Sequence, residues 1–173
     1  MKKIALITGA TSGIGKACAR KFAQGGYDVI ITGRRAQLLA DLKKELEAIG
    51  VRVLALAFDV CNRKAATAAI KSLPLEWQQI DVLINNAGLA LGLEPEYEGS
   101  FEDWDMMIDT NIKGLLTMTR LVVPRMVARD CGHIINIGSV AGDAAYAGGN
   151  VYCGTKLSLI HISEPTRQAE ISY

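Results

Sequence analysis

Short apolar runs alternate with longer amphipathic stretches along most of this 173-residue chain. The runs are brief and rich in β-branched residues, which is typical of strands in a parallel sheet that is covered on both faces. They occupy residues 3–8, 28–32, 53–58, 81–85 and 133–138. The alternation predicts an α/β fold with a Rossmann-like, doubly wound parallel sheet of about five strands.

Helices are predicted between the strands, because apolar residues recur there at helical spacing. Pro124 lies inside the last predicted helix and is expected to kink or divide it. A sheet of two βαβαβ halves needs at least one more strand, and nothing after residue 138 supplies it. The chain is therefore expected to be truncated. The predicted helices span residues 14–25, 35–49, 62–72, 102–109 and 112–129.

The composition excludes several classes of protein. The net charge of +1 gives no electrostatic basis for binding nucleic acid or an anionic membrane. No apolar run approaches the ~18 residues of a membrane span. The four cysteines lack the spacing of a metal site, so we expect reduced thiols in the core of a cytoplasmic protein.

A glycine-rich segment, TGATSGIG (8–15), directly follows the first predicted strand and opens a helix. Glycines allow the backbone to turn sharply and to approach a pyrophosphate, whose charge the helix N-terminus favours. The alternative is that the glycines serve only the turn. The cofactor-binding residues predicted here are Gly9, Thr11, Ser12, Gly13, Ile14 and Gly15.

The end of the second strand indicates which dinucleotide is bound. NAD-binding sheets often carry an Asp or Glu ~20 residues beyond the glycines. Here Gly33 occupies that position, and Arg34 and Arg35 follow it. A guanidinium can bind a 2′-phosphate bidentately, so NADP is predicted as the cofactor. The alternative is that both arginines only solvate the start of the next helix.

Together these motifs resemble a short-chain dehydrogenase/reductase. The resemblance is carried by the glycine-rich segment, by DV (59–60), NNAG (85–88), Asn111 and Ser139, and by YCGTK (152–156), and it covers residues 1–156. It implies that Asn85 holds the fourth strand. It also implies that further cofactor contacts come from Asp59, Val60, Asn86, Ala87 and Gly88.

The same resemblance implies a catalytic set of Asn111, Ser139, Tyr152 and Lys156. Tyr152 and Lys156 are four residues apart, so on a helix they share a face. A phenol ordinarily titrates near ~10, and a neighbouring ammonium favours the phenolate that accepts a proton. Tyr152 would exchange the substrate proton, and Lys156 would also bind the nicotinamide ribose. The alternatives are a solvated helix face, a turn cap at Ser139 and an N-cap at Asn111.

Within the family, the stretches around the site look most like NADP-dependent 3-hydroxy-acid dehydrogenases. That resemblance implies substrates such as serine, allo-threonine or 3-hydroxypropionate, and a homotetramer. Asn150 and the turn at residues 145–150 are candidate donors to the substrate carboxylate. Alternatives are a short-chain reductase for an acyl carrier, a sugar or a steroid, and a non-catalytic dinucleotide-binding sensor. No metal site is expected.

The C-terminal residues 157–173 do not follow the family pattern. LSLIHISEPTR (157–167) matches the in-frame translation of a transposase-based sequencing adapter, and the final Ile-Ser-Tyr matches the adapter beyond its barcode. We therefore expect an incomplete NADP-binding domain at 1–156 with a non-native tail, and an inactive chain. Pro165 is expected to break the helix that begins near Tyr152. The broad apolar face of the helix at 112–129 would then be exposed.

Overall fold

A computed structural model describes residues 2–168, and their side chains through residue 162. In this part of the chain five parallel strands form one sheet in the order β3-β2-β1-β4-β5. The order reverses direction at β1, so the sheet is doubly wound, and the predicted fold class is confirmed. The strands are β1 (Ile4–Ile7), β2 (Asp28–Gly33), β3 (Val53–Ala57), β4 (Val82–Asn85) and β5 (His133–Asn136).

The helices lie where the amphipathic stretches predicted them, with ends that differ by a few residues. A π-helical segment, Asp109–Gly114, lies between the fourth and fifth helices. The sequence pattern predicted a break there. The helices are α1 (Gly13–Gln24), α2 (Ala36–Glu47), α3 (Arg63–Lys71), α4 (Phe101–Ile108), α5 (Leu115–Val127) and α6 (Asn150–Gln168).

The chain divides into two compact units. The sheet unit comprises the described residues up to Ala87 together with Gly114–Asn136, and it holds all five strands with α1, α2, α3 and α5. The helical unit comprises Gly88–Lys113 and the described residues from Ile137 onward, and it holds α4 and α6. Each unit contains a different group of the predicted site residues.

The core of the sheet unit is built on β1, whose four residues are all buried. Leu6 in β1 pairs in register with Ile30 in β2 and Leu83 in β4. These three side chains share one apolar cluster with Met118 and Val122 of α5. Because β1 is buried on both of its faces, its sequence is continuously apolar, and this pattern is what predicted the strand.

At the amino-terminal edge of the sheet, buried charge is neutralised by pairing. Asp28 is 1% exposed. Its carboxylate accepts hydrogen bonds from the backbone N–H of Arg52 at 2.9 Å and from Arg52 Nη2 at 2.6 Å. The Arg52 guanidinium also lies 5.1 Å from the ring centroid of Trp77. The start of β2 is thereby tied to the residue that precedes β3.

The apolar face of α5 differs from the prediction. Leu115, Met118 and Val122 are buried, whereas Leu116 is 43% exposed. The prediction that this whole face would be exposed is wrong, because its inner side packs into the sheet core. Pro124 lies within α5 without dividing it.

Helix α6 continues to Gln168, three residues beyond Pro165. The prediction that Pro165 breaks this helix is wrong for its backbone. Proline removes one helical hydrogen bond, but its fixed φ of about −65° is itself a helical value. The prediction of a non-native tail falls partly on residues 169–173, which lie outside the described residues, and it stays a prediction.

All four cysteines lie among the described residues, and none of them forms a disulfide. Cys153 is buried and Cys18 is half-buried, but Cys61 and Cys131 are exposed, so the prediction that all four are core residues is wrong for the last two. Both exposed thiols lie in connections just outside helices, where no sheet covers them. None of the described helices is long and apolar enough to cross a membrane.

Candidate active site

The glycine-rich segment forms a tight turn at the carboxyl end of β1. Gly9 and Gly13 have φ values of +65° and +53°, which residues with a side chain rarely adopt. A Cβ atom on Gly9 would lie 2.9 Å from the Cα atom of Ala87. Glycine is therefore required at position 9 both by backbone conformation and by the close approach of the segment after β4.

A hydrogen-bond network around Thr8 fixes this turn. Thr8 Oγ1 accepts from the backbone N–H groups of Asn86 at 2.9 Å and Ala87 at 3.0 Å. Asn86 Nδ2 donates in return to the carbonyls of Thr8 at 2.8 Å and Gly9 at 3.2 Å. A side chain on Gly15 would collide with the Asn86 amide and the Gly9 carbonyl. Thr8 was not among the predicted site residues.

The N-terminus of α1 is open to an anion. Ser12 is its N-cap residue, yet the Ser12 side chain accepts no hydrogen bond from the first turn. Uncapped N–H groups and the helix dipole together favour a phosphate at this position. The side chain of Ile14 is 60% exposed beside it. The predicted residues of this segment thus lie together around one helix end that is suited to an anion.

Both predicted arginines lie beside the turn. Arg35 Nε donates to Thr11 Oγ1 at 3.1 Å, and Arg35 Nη2 donates to Ser12 Oγ at 2.8 Å. Arg34 Nη1 lies 3.7 Å from a carboxylate oxygen of Asp59, with both side chains partly exposed. The structure therefore gathers two guanidinium groups at the carboxyl ends of β2 and β3.

A carboxylate at position 33 is disfavoured by space. A Cβ atom on Gly33 would lie 2.9 Å from Thr11 Cγ2, closer than real Cβ contacts. The acidic residue of NAD-binding sheets would thus require the Thr11 side chain to move. Asp59, at the end of β3, accepts from the backbone N–H of Cys61 at 2.9 Å, and Val60 is buried.

In the helical unit, Asn111 lies in the π-helical segment and is 2% exposed. Its side chain exchanges two hydrogen bonds with the backbone of Leu89, each at 2.9 Å. Its Nδ2 also donates to Thr155 Oγ1 at 3.0 Å. Asn111 therefore joins the segment after β4 to α6. Thr155, between the predicted tyrosine and lysine, was not predicted as its partner.

Tyr152 and Lys156 occupy one face of α6, as their spacing predicts. Lys156 is 7% exposed, and its Nζ lies 6.0 Å from the ring centroid of Tyr152. The same Nζ donates to the carbonyl of Ile137 at 2.9 Å. Burial lowers the pKa of the Lys156 ammonium below its ordinary value of 10.5. The hydrogen bond to Ile137 therefore holds the ammonium in place, and the surrounding protein covers most of the side chain.

Ser139 begins the 3₁₀ turn Val140–Gly142 that packs against α6. Its Oγ accepts from the backbone N–H of Ala141 at 3.2 Å, and among the described residues its hydroxyl donates to no acceptor. A Cβ atom on Gly142 would lie 3.1 Å from the Lys156 carbonyl. The 3₁₀ turn thus packs closely against α6. The Ser139 hydroxyl hydrogen is available to donate to a substrate oxygen.

Asn150 precedes the tyrosine by two residues and adopts φ +29°, which is unusual for a residue with a side chain. Its Nδ2 donates to the carbonyl of Glu94 at 2.8 Å. One amide hydrogen of this candidate carboxylate donor is therefore already engaged. The role predicted for Asn150 stays a prediction.

Comparison with known proteins adds to this geometry. A family model described as short chain dehydrogenase matches residues 3–172. The chain belongs to the short-chain dehydrogenase family. It is 58% identical to the NADP-dependent 3-hydroxy acid dehydrogenase YdfG of Salmonella typhi over 153 residues. That alignment covers 88% of this chain and 60% of the relative, so the chain spans about 60% of the curated relative's length.

Two solved structures of this family have the same fold. One is serine dehydrogenase from Escherichia coli, with a TM-score of 0.91 and 52% identity, covering 96% of this chain and 75% of that one. The other is the closed form of serine dehydrogenase complexed with NADP+, with a TM-score of 0.91 and 53% identity. It covers 96% of this chain and 66% of that one.

The buried ammonium of Lys156 predicts a pH dependence of stability. Because its folded pKa lies below 10.5, the unfolded chain binds more protons between these two values. The free energy of unfolding should therefore rise with pH across that window, relative to a Lys156→Met variant. Urea unfolding of both chains at several pH values measures this difference. A difference that stays constant with pH would contradict the burial of a charged Lys156.

Proposed function

We propose that this protein is an NADP-dependent oxidoreductase that transfers a hydride between NADP and the 3-hydroxyl carbon of a small 3-hydroxy acid. The observation that carries the proposal is the buried Lys156 ammonium, held 6.0 Å from the Tyr152 ring. The proposal is also supported by the 58% identity between this chain and a relative that is named as an NADP-dependent 3-hydroxy acid dehydrogenase. The arrangement suits proton exchange with an alcohol or a carbonyl.

The residues of the sheet unit fit NADP. The open N-terminus of α1 suits the pyrophosphate, while Arg34 and Arg35 suit the 2′-phosphate. The space around Gly33 disfavours the carboxylate that would repel that phosphate. When bound, NADP would supply the acceptor or donor of the hydride. The solved relative complexed with NADP+ supports the same choice.

The residues of the helical unit would exchange the hydroxyl proton of the substrate. In the oxidation direction the Tyr152 phenolate takes the substrate hydroxyl proton, and in reduction its phenol gives a proton to the carbonyl oxygen. Lys156 holds its ammonium 6.0 Å from the Tyr152 ring and would also bind the nicotinamide ribose. Ser139 donates to the substrate oxygen, and Asn111 braces α6 through Thr155. We propose that Asn111 also orders the water that carries the proton to solvent.

The substrate class rests on the relatives' names and on the resemblance around the site. We infer serine, allo-threonine or 3-hydroxypropionate as candidate substrates, and a cytoplasmic homotetramer as the working form. Initial rates with serine, 3-hydroxybutyrate and 3-hydroxypropionate, each with NADP and with NAD, test this. Turnover confined to a sugar, a steroid or an acyl carrier would favour another short-chain reductase.

A Tyr152→Phe substitution should abolish turnover in the full-length protein. It keeps the ring but removes the proton donor, and general acid–base catalysis contributes about 10²–10⁴-fold. NADP affinity, measured by titration calorimetry, should change little. Tyr27→Phe, at a ring that packs edge-on against Phe22, is the matched control and should keep full activity. Unchanged turnover in Tyr152→Phe would contradict the proposed role of Tyr152, whereas NADP binding without turnover by the unmodified full-length protein would favour a dinucleotide-binding sensor.

Replacing both Arg34 and Arg35 by Gln should weaken NADP binding much more than NAD binding. Two charge-assisted hydrogen bonds to the 2′-phosphate are lost, and each contributes about 1.5–3 kcal/mol. We expect a loss of NADP affinity of about a hundredfold, with NAD affinity changed less than about threefold. Lys21→Gln, in the last turn of α1, is the control. Equal losses for both cofactors would show that these arginines do not read the 2′-phosphate.

A further inference from the structure

A second cleft lies in the sheet unit, at the edge opposite to the glycine-rich turn. It has a volume of about 820 Å³ and lies at the amino-terminal ends of β1 and β4, beside the last turn of α5. This volume falls within the range of small-molecule sites, about 300–1,000 Å³. None of the predicted cofactor or catalytic residues lines it.

The cleft concentrates positive charge in a chain whose net charge is only +1. Its lining contains two carboxylates, Glu76 and Asp81. Asp81 is already engaged, because it accepts from the backbone N–H of Ile4 at 2.8 Å and pairs with Arg129 at 3.3 Å. The cations of the lining are Lys2, Lys3, Arg52, Arg125 and Arg129.

One of these five cations, Lys2, donates to the Gly50 carbonyl at 3.0 Å, and the other four fall into two groups. Arg52 and Arg129 are held in place, Arg52 by Asp28 and Arg129 by the Ile80 carbonyl at 2.6 Å as well as by its carboxylate partner. Lys3 and Arg125 are exposed, and neither side chain bonds to any residue whose side chain the structure describes. Two fixed and two unpaired cations around one cleft make a site that an anion can complete.

Most of the cleft surface between these charges is apolar, although Gln78 and Gln79 also line it. Leu75 is 81% exposed at the cleft, and Ala128 and the buried Ile4 also line it. The methylene stems of the lysines and arginines add apolar surface below their charged ends. An exposed leucine beside unpaired cations favours a ligand with an apolar body and an anionic head.

We propose that this cleft is a second ligand site, which binds an amphiphilic anion with a carboxylate or phosphate head and a short apolar body. The head lies between Lys3 and Arg125, and the apolar body lies on Leu75. The site is separate from the proposed cofactor site, so a ligand here does not compete with NADP. Binding would depend on salt, because the unpaired cations are exposed.

Titration calorimetry with four probes tests the proposal on the unmodified chain. Octanoate and octyl phosphate carry both features, whereas octan-1-ol lacks the charge and inorganic phosphate lacks the apolar body. Octanoate or octyl phosphate should bind at least about tenfold more tightly than the other two probes. The tighter of the two amphiphiles identifies the head group. Binding of phosphate or octanol as tight as that of octanoate would overturn the proposal.

Variants locate the site. The double substitution Lys3→Gln, Arg125→Gln should weaken octanoate binding about tenfold, and Leu75→Ser should weaken it as well. Lys44→Gln, an exposed lysine of α2 outside the cleft, is the matched control and should bind as the unmodified chain does. Lys3 and Arg125 leave no partner unpaired, so these variants should fold and keep their NADP affinity. Equal octanoate affinity in the double variant and the control would overturn the proposal.

The indole N–H resonance of Trp77 gives an independent readout. Trp77 lies under the Arg52 guanidinium beside the cleft, whereas Trp104 belongs to the helical unit. Octanoate should shift the Trp77 resonance in a nuclear magnetic resonance titration and leave that of Trp104 unchanged. A shift of Trp104 alone would place the ligand elsewhere and contradict the proposal.

Discussion

The hydrogen bonds that Thr8 makes across the end of the sheet are the constraint on which the proposed cofactor site depends. Its hydroxyl accepts from two successive backbone N–H groups after β4, and Asn86 returns two hydrogen bonds to the backbone after β1. The two strand ends are thereby held so close that Gly9 and Gly15 have no room for a side chain. That close approach directs the glycine-rich turn, and with it the N-terminus of α1, toward an incoming phosphate.

The two edges of the sheet carry opposite kinds of polar structure. At the carboxyl edge, the first backbone N–H groups of α1 are left for a ligand beside the exposed Arg34 and Arg35. At the amino edge, Asp28 pairs with Arg52 and Asp81 pairs with Arg129. Parallel sheets place their ligands at the carboxyl edge as a rule. The proposed amphiphile site depends on the amino edge having more cations than its carboxylates can neutralise.

Much of the fold followed from the sequence, because strands buried on both faces are largely apolar and glycine adopts the positive φ of the turn after β1 most readily. Longer-range features did not follow. No local pattern shows that Thr155 is the partner of Asn111, because the two residues lie 44 positions apart in the sequence. The helical periodicity near residue 110 also did not distinguish a π-helical segment from a break between two helices. The helix end predicted at Pro165 was wrong because the loss of one hydrogen bond does not by itself decide where a helix ends.

The most direct test of the central claim is the NADP affinity of a Thr8→Val variant, measured by titration calorimetry. Valine keeps the shape but leaves the N–H groups of Asn86 and Ala87 without their acceptor, so affinity should fall about tenfold or more. Thr32→Val is the control, because the Thr32 hydroxyl is buried and bonds to none of the described residues. That control should bind NADP normally and be at least as stable as the unmodified chain. Unchanged affinity in a folded Thr8→Val variant would contradict the account.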